Sequence, residues 1–97
     1  MRVVWTDLAV LRLLEIEAYL ARRNPVAAAA LADELVARSE TLGLQPEMGR
    51  RIPELPGADL RELVVAPYRI VYRLRGSEIQ VITAYHGRRQ FPRSEIG

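Results

Sequence analysis

The sequence predicts an α+β domain: an N-terminal strand, then an antiparallel helical hairpin packed on one face of a small, mainly antiparallel sheet. Three observations predict it. Residues 8–23 contain no Gly or Pro and repeat apolar side chains at helical spacing. Asn24-Pro25 then interrupts the helical region and restarts it as an alanine-rich helix. After Gly43 the apolar period changes to the alternation of strands. Helices come first and strands follow, a segregation typical of α+β folds. A chain of 97 residues suits one domain over 1–97 with a single modest core.

Each element has its own signal. Val3, Val4 and Trp5 form a short β-type opening. Thr6 is placed to cap the next helix, and Asp7 favours the positive helix end. Along that helix Ala9, Leu13, Ile16 and Leu20 fall on one stripe, and Leu11, Leu14, Ala18 and Ala21 fall on a second. Arg12, Glu15 and Arg22 mark its wet edge. Two apolar stripes predict two packing partners, the sheet and a neighbour. Asn24 caps a second helix that starts at Pro25 and runs to about Leu42, with Ala28, Leu31, Ala32, Leu35 and Leu42 as its apolar stripe and Gly43 as its stop. So short a link folds the two helices into a hairpin.

Residues 45–49 read as loop, and Arg50 to Leu55 as an edge strand in which Pro53 removes a ladder donor. Pro56-Gly57-Ala58-Asp59 is a turn. Three strands follow, Leu60–Val65, Tyr68–Leu74 and Glu78–Tyr85, joined by links short enough for hairpins. In the middle one Tyr68, Ile70, Tyr72 and Leu74 share one face, and Arg69, Val71 and Arg73 share the other. The second face, away from the helices, is expected to be open and basic.

Composition narrows the chemistry. There is no cysteine, which removes disulfides, thiolate metal sites and thiol catalysis. One histidine, His86, leaves no multi-histidine metal site. No metal or cofactor is expected. No apolar run approaches the roughly 20 residues of a membrane span, and the opening residues lack a signal-peptide layout, so the expected location is the cytoplasm. All 14 basic residues are arginine. Residues 1–49 carry 5 Arg and 7 acids, a charge of −2, and residues 50–97 carry 9 Arg and 5 acids, a charge of +4. An acidic partner or a phosphate therefore belongs to the C-terminal half. Sequence-specific DNA reading is not expected, because the second helix holds Arg38 against Asp33, Glu34 and Glu40.

The densest chemistry lies in Tyr85-His86-Gly87-Arg88-Arg89-Gln90-Phe91-Pro92. A phenol, an imidazole, two guanidiniums and an aromatic can grip a phosphate and exchange a proton. Cleavage of RNA through its 2′-hydroxyl needs a base, an acid and a cation of this kind. Each residue also has a plainer role. His86 can be a strand-end histidine bonded to backbone, Arg88-Arg89 a solvated tail, and Arg69 the partner of Glu54, Glu62 or Glu78. Tyr68 and Tyr72 suit the core.

The whole chain resembles the RelE/ParE superfamily of bacterial type II toxins, and its ParE branch in particular. The resemblance rests on Trp5 before the first helix, Ile16-x-x-Tyr19-Leu20, Asn24-Pro25 with Ala27-Ala28, and Pro46-x-x-Gly49-Arg50. It rests further on Arg61-Glu62-Leu63-Val64-Val65, Tyr68-Arg69-Ile70-Val71-Tyr72-Arg73 and His86-Gly87-Arg88-Arg89-Gln90-Phe91-Pro92. It implies the same fold, a cognate antitoxin forming a hetero-oligomer with the toxin, and one of two targets. ParE-like toxins poison DNA gyrase without being enzymes; RelE-like toxins are ribosome-dependent mRNA endoribonucleases that need no metal. In the ribonuclease branch Arg69, Tyr85, His86 and Arg88 would match the catalytic region. The lysines that branch uses after the second helix are absent, with only Arg50 and Arg51 in place, and the tail after Pro92 is short for its extra helix. Both departures favour the ParE branch. His86, Arg88, Arg89 and Phe91 are then expected to meet the target, and Leu11, Leu14, Ala18, Arg69 and Arg73 the antitoxin.

Overall fold

The computed structural model describes residues 1–96 and orders them as β1 (Arg2–Trp5), α1 (Asp7–Ala21), α2 (Pro25–Glu40), β2 (Arg50–Arg51), β3 (Arg61–Val65), β4 (Tyr68–Arg75) and β5 (Glu78–His86). Thr6 has an extended backbone, and its side-chain oxygen accepts from the Ala9 amide at 3.1 Å. Asn24 caps α2 in the same way, accepting from Ala27 at 3.0 Å, with Pro25 in the first turn where its missing N–H costs nothing. The expected extension of α2 to Leu42 is a 3-10 turn over Thr41–Gly43. No helix among the described residues is long and apolar enough to cross a membrane.

The five strands form one sheet in the order β1-β5-β4-β3-β2. β1 runs parallel to β5, pairing Arg2 with Glu78 and Trp5 with Val81, and every other pair is antiparallel. The helical hairpin covers one face. Beneath it Ala9, Leu35, Leu42, Ile70, Tyr72 and Ile79 are fully buried and pack with the α1 stripe of Leu13, Ile16 and Leu20. Each such leucine or isoleucine contributes roughly 1.5–3 kcal/mol through removal from water. Trp5 anchors β1 to α2 by donating from Nε1 to the buried Ser39 hydroxyl at 3.1 Å.

Four expectations need correction. First, β2 stops at Arg51 instead of running to Leu55. Pro53 and Pro56 break the pairing, and the chain folds under the sheet and buries Ile52. Second, the face away from the helices is therefore not open. Ile52, Val71 and Tyr85 form a second core there, closed over by Leu55, Leu60, Phe91 and Ile96. Third, Phe91 is half-buried, with its ring edge-on to Tyr85 at 5.9 Å and 84°. Fourth, Arg12 is no wet-edge residue: it is half-buried and pairs with Glu95 at 2.9 Å.

A bulge lets β5 serve both cores. The register passes from Val71↔Thr83 to Tyr72↔Val81, so Ile82 has no opposite number. Ile79, Val81 and Ala84 join the core beneath the helices, while Tyr85 enters the second core.

The loop before β2 closes on Tyr72. Its hydroxyl accepts from the Gly49 amide at 2.9 Å and donates to the Pro46 carbonyl at 2.7 Å. A Cβ on Gly49 would stand 2.6 Å from the Tyr72 ring and hydroxyl and 2.8 Å from the Glu62 carbonyl oxygen. Tyr72 is fully buried and cannot swing away. Gly49→Ala should lower the urea midpoint by an amount equivalent to about 1–3 kcal/mol at unchanged slope. A midpoint within error of the parent would show that this contact yields freely.

Candidate functional site

The alternation of β3 sends Leu63 and Val65 beneath the helices and Glu62 to the opposite face, where it is fully buried. A carboxylate there requires compensation. Arg50, from the neighbouring β2, lies 2.8 Å from Oε1, and Arg69, from β4, lies 3.5 Å from it. The Tyr85 hydroxyl donates to Oε2 at 3.2 Å and accepts from Arg69 Nη1 at 3.2 Å. Glu54 adds a second carboxylate 3.4 Å from Arg69. The hydrogen bond to Tyr85 and the charges of Glu62 and Glu54 together outweigh burial and raise the Arg69 pKa, so it stays cationic. Burial raises the Tyr85 pKa against the pull of Arg69, so the phenol stays protonated. Arg69 and Tyr85 stand opposite each other on β4 and β5, and both are directed inward onto carboxylates.

The segment after β5 is pinned along its length. Gly87 donates its amide to the Pro67 carbonyl at 2.7 Å, and Arg89 donates to the His86 carbonyl at 2.9 Å. His86 stands half-buried with its ring edge-on to Tyr68 at 5.3 Å, and its Nδ1 accepts from the Arg88 amide at 3.1 Å. Further on, Phe91 rests on Tyr85 and the Arg93 guanidinium lies 5.8 Å from the Phe91 ring centre. Glu95 closes the segment: its carboxylate accepts from Arg12 on α1 and from the Thr83 hydroxyl at 2.7 Å. Between these anchors Arg88, Arg89 and Gln90 stand exposed as a basic knuckle.

The Glu95 clamp carries a pH signature. Burial alone would raise its pKa; the bonds from Arg12 and Thr83 and the charge of Arg12 outweigh burial and hold it below the usual value. A lowered folded pKa gives stability that is present above the unfolded value of about 4.3 and lost as pH falls through the lower folded value. An NMR titration should show the Glu95 carboxyl and the Ile96 amide sharing one transition below that value, and Arg12→Gln should move it upward. A transition at the ordinary glutamate value in the parent chain would sink this reading.

The expected second stripe of α1 stands clear of both cores. Leu11 is 49% and Leu14 55% exposed, with Val10 and Ala18 beside them, and only Ala21 is half-buried. Arg73 does not join the other basic groups. It lies opposite Gln80, to which it donates at 2.8 Å, whereas the knuckle follows His86 opposite Tyr68. Tyr68 and Arg73 are five positions apart along β4, about 17 Å of strand, so Arg73 and the knuckle occupy opposite ends of the sheet. Arg69 lies at the knuckle end.

Sequence reasoning named Glu54 and Glu62 among the possible partners of Arg69, and both lie against it, but it passed over Thr83 and Glu95 as working parts. Glu62 had a signal, a charge alternating with the buried positions of its strand. Glu95 had none, because its partner Arg12 lies 83 residues away.

The family model described as the ParE toxin of type II toxin-antitoxin system, parDE, matches residues 3–91. The chain belongs to the ParE toxin family. Its match runs from β1 to Phe91 and takes in both helices, every strand and the knuckle, leaving Glu95 outside. This ParE-family toxin is 36% identical over 95 residues to the candidate toxin Y4kP of Sinorhizobium fredii, covering 94% of this chain and 93% of that one. It shares its fold with a chain of the chromosomal ParDE TA system from P. aeruginosa, at a TM-score of 0.75 and 24% identity, over 89% of this chain and 95% of that one.

Proposed function

We propose that this ParE-family toxin arrests growth by poisoning DNA gyrase, as a protein inhibitor and not as an enzyme, and that a cognate antitoxin neutralises it. The observation that carries the reading is the division of its basic groups. Arg69, which a ribonuclease would aim at a phosphate, is held by Glu62 and Glu54. Tyr85 donates to Glu62, and the Nδ1 lone pair of His86 is occupied by a backbone amide. A general base must be deprotonated and within reach of its proton. Arg88 and Arg89, in contrast, project from a pinned turn, an arrangement suited to gripping a protein surface. The antitoxin is assigned to the exposed Leu11, Leu14 and Ala18 stripe of α1, with Arg73 as a secondary contact for an acidic side chain; Arg69, expected beside it, is already held by Glu62 and Glu54.

The test incubates the purified toxin with gyrase and supercoiled DNA, and separately with programmed ribosomes. Trapped DNA cleavage with intact message is the expected result; codon-positioned cuts in the message with gyrase untouched would overturn it. Two variants sharpen the outcome. His86→Gln should leave toxicity within about three-fold, whereas loss of a general acid or base costs about 10²–10⁴-fold. Arg88→Gln with Arg89→Gln should remove most of the toxicity.

A further inference from the structure

The Arg88–Gln90 knuckle spans a hollow. Arg89 and Gln90 line a cavity of about 480 Å³ between α1 and the segment after β5, and so do Arg12 and Glu95. With a cavity behind it in place of packed core, the knuckle is held by what grips its two ends. At the leading end His86 supplies both bonds: its carbonyl accepts from the Arg89 amide at 2.9 Å and its Nδ1 from the Arg88 amide at 3.1 Å. At the trailing end the Phe91 ring rests on Tyr85, an apolar contact without the directionality of a hydrogen bond. Glu95 adds direction. Its Oε2 accepts from Nε and Nη2 of Arg12 at 3.2 and 2.9 Å, and its Oε1 from the Thr83 hydroxyl at 2.7 Å. Thr83 has no exposed surface and lies on β5, and Arg12 is fixed from its other side by Glu15 at 3.0 Å. One carboxylate thus ties the segment to both the sheet and the helical layer. Little slack separates it from Phe91, because the Arg93 amide donates to the Phe91 carbonyl at 2.8 Å and the Glu95 amide to the Pro92 carbonyl at 3.0 Å.

We infer that Glu95, with Arg12 and Thr83, is a positioning group for the toxic surface: it fixes the trailing end of the knuckle and so presents Arg88 and Arg89 to the target in one arrangement. The inference rests on the reading of those two arginines as the target surface, and not on which target they meet. Hydrogen bonds to a carboxylate from a guanidinium are short, strong and geometrically specific, which suits an anchor at the end of an unsupported turn. Two long side chains on a backbone already ordered lose less freedom on binding than the same pair on a loose tail. Arg12, Thr83 and Glu95 contribute no side chain to the core beneath the helices, so losing the clamp loosens the segment without dissolving the domain.

The test measures order and toxicity on the same full chains. Glu95→Arg and Arg12→Glu each set like charges against one another, and the double exchange restores the pair. Each single variant should speed amide hydrogen exchange at Arg88 and Arg89. Each should also raise the intracellular toxin level needed to halt growth by about ten-fold, the order expected when two arginines and their turn must be fixed on binding. The double exchange should bring both readouts back to within about three-fold of the parent, since the loss belongs to the pair. Gly49→Ala, which lowers stability at the Tyr72 loop, is the control and should leave both readouts unchanged. Should the charge reversals not fold, Arg12→Gln should show the same losses in smaller measure. No change in either readout, a change in one without the other, no recovery in the double exchange, or an equal loss in Gly49→Ala would each overturn the clamp. Full toxicity of Arg88→Gln with Arg89→Gln would instead strike the knuckle itself, and the inference with it.

Discussion

Glu62→Ala should destabilise the toxin by about 3–5 kcal/mol, the usual cost of breaking a buried ion pair by removing one partner. That is a large share of the roughly 5–15 kcal/mol that holds a domain together. Glu62 has no exposed surface and joins four elements: it accepts from Arg50 on β2 and Tyr85 on β5, lies against Arg69 of β4, and is itself part of β3. Without it Arg69 keeps only Glu54, and the Tyr85 hydroxyl loses its acceptor inside the second core. Arg50→Gln should cost less, about 1–3 kcal/mol, because Glu62 then keeps Arg69 and the Tyr85 hydroxyl as partners. Urea unfolding at constant slope measures both. Equal, small shifts in the two variants would mean that the network is solvated and structurally idle.

Leu14→Glu should weaken the cognate antitoxin by about 30–150-fold, the range for a central apolar anchor. Leu14 is 55% exposed in the free toxin, so the variant should fold with a stability change within about 0.5 kcal/mol. The substitution places a charge where the proposed antitoxin helix lays its apolar face. Val26→Glu, at an 81% exposed position on α2, should leave affinity unchanged and serves as the control. Titration calorimetry decides between the two positions. Unaltered affinity for a folded Leu14→Glu would move the antitoxin off α1.

The elements were legible wherever a local rule governs them. Thr6 and Asn24-Pro25 announce their helices because capping is settled within three residues, and the Tyr68 to Leu74 alternation announces β4 because Tyr68, Ile70 and Tyr72 lie in the core beneath the helices while Arg69 and Arg73 on the other face are only half-buried. What escaped was governed by distance. Arg12 looks solvated on a helical wheel, and only the return of the chain at Glu95 gives it a partner. The second core was invisible because Ile52, Leu55, Leu60, Phe91 and Ile96 come from irregular segments with no period to read. The bulge at Ile82 was missed for a similar reason: one unmatched residue leaves the apolar run Ile79 to Tyr85 looking continuous. Of the candidate site, the residue types in the His86–Phe91 segment and the pairing of Arg69 with Glu54 or Glu62 were legible, but not that Phe91 would be half-buried.

The parallel pairing of β1 with β5 has a kinetic consequence. Arg2 and Glu78 meet across 76 residues, so the sheet closes only after the ends of the domain find each other. Contacts of such long range are slow to form. During synthesis at about 5–20 residues per second the helical hairpin exists for several seconds before β5 is made, and the segment with Arg88 and Arg89 follows later still. Throughout that interval the nascent chain shows the α1 stripe without a finished knuckle. A toxin built in this order offers the surface assigned to its antidote before it assembles the surface assigned to its target.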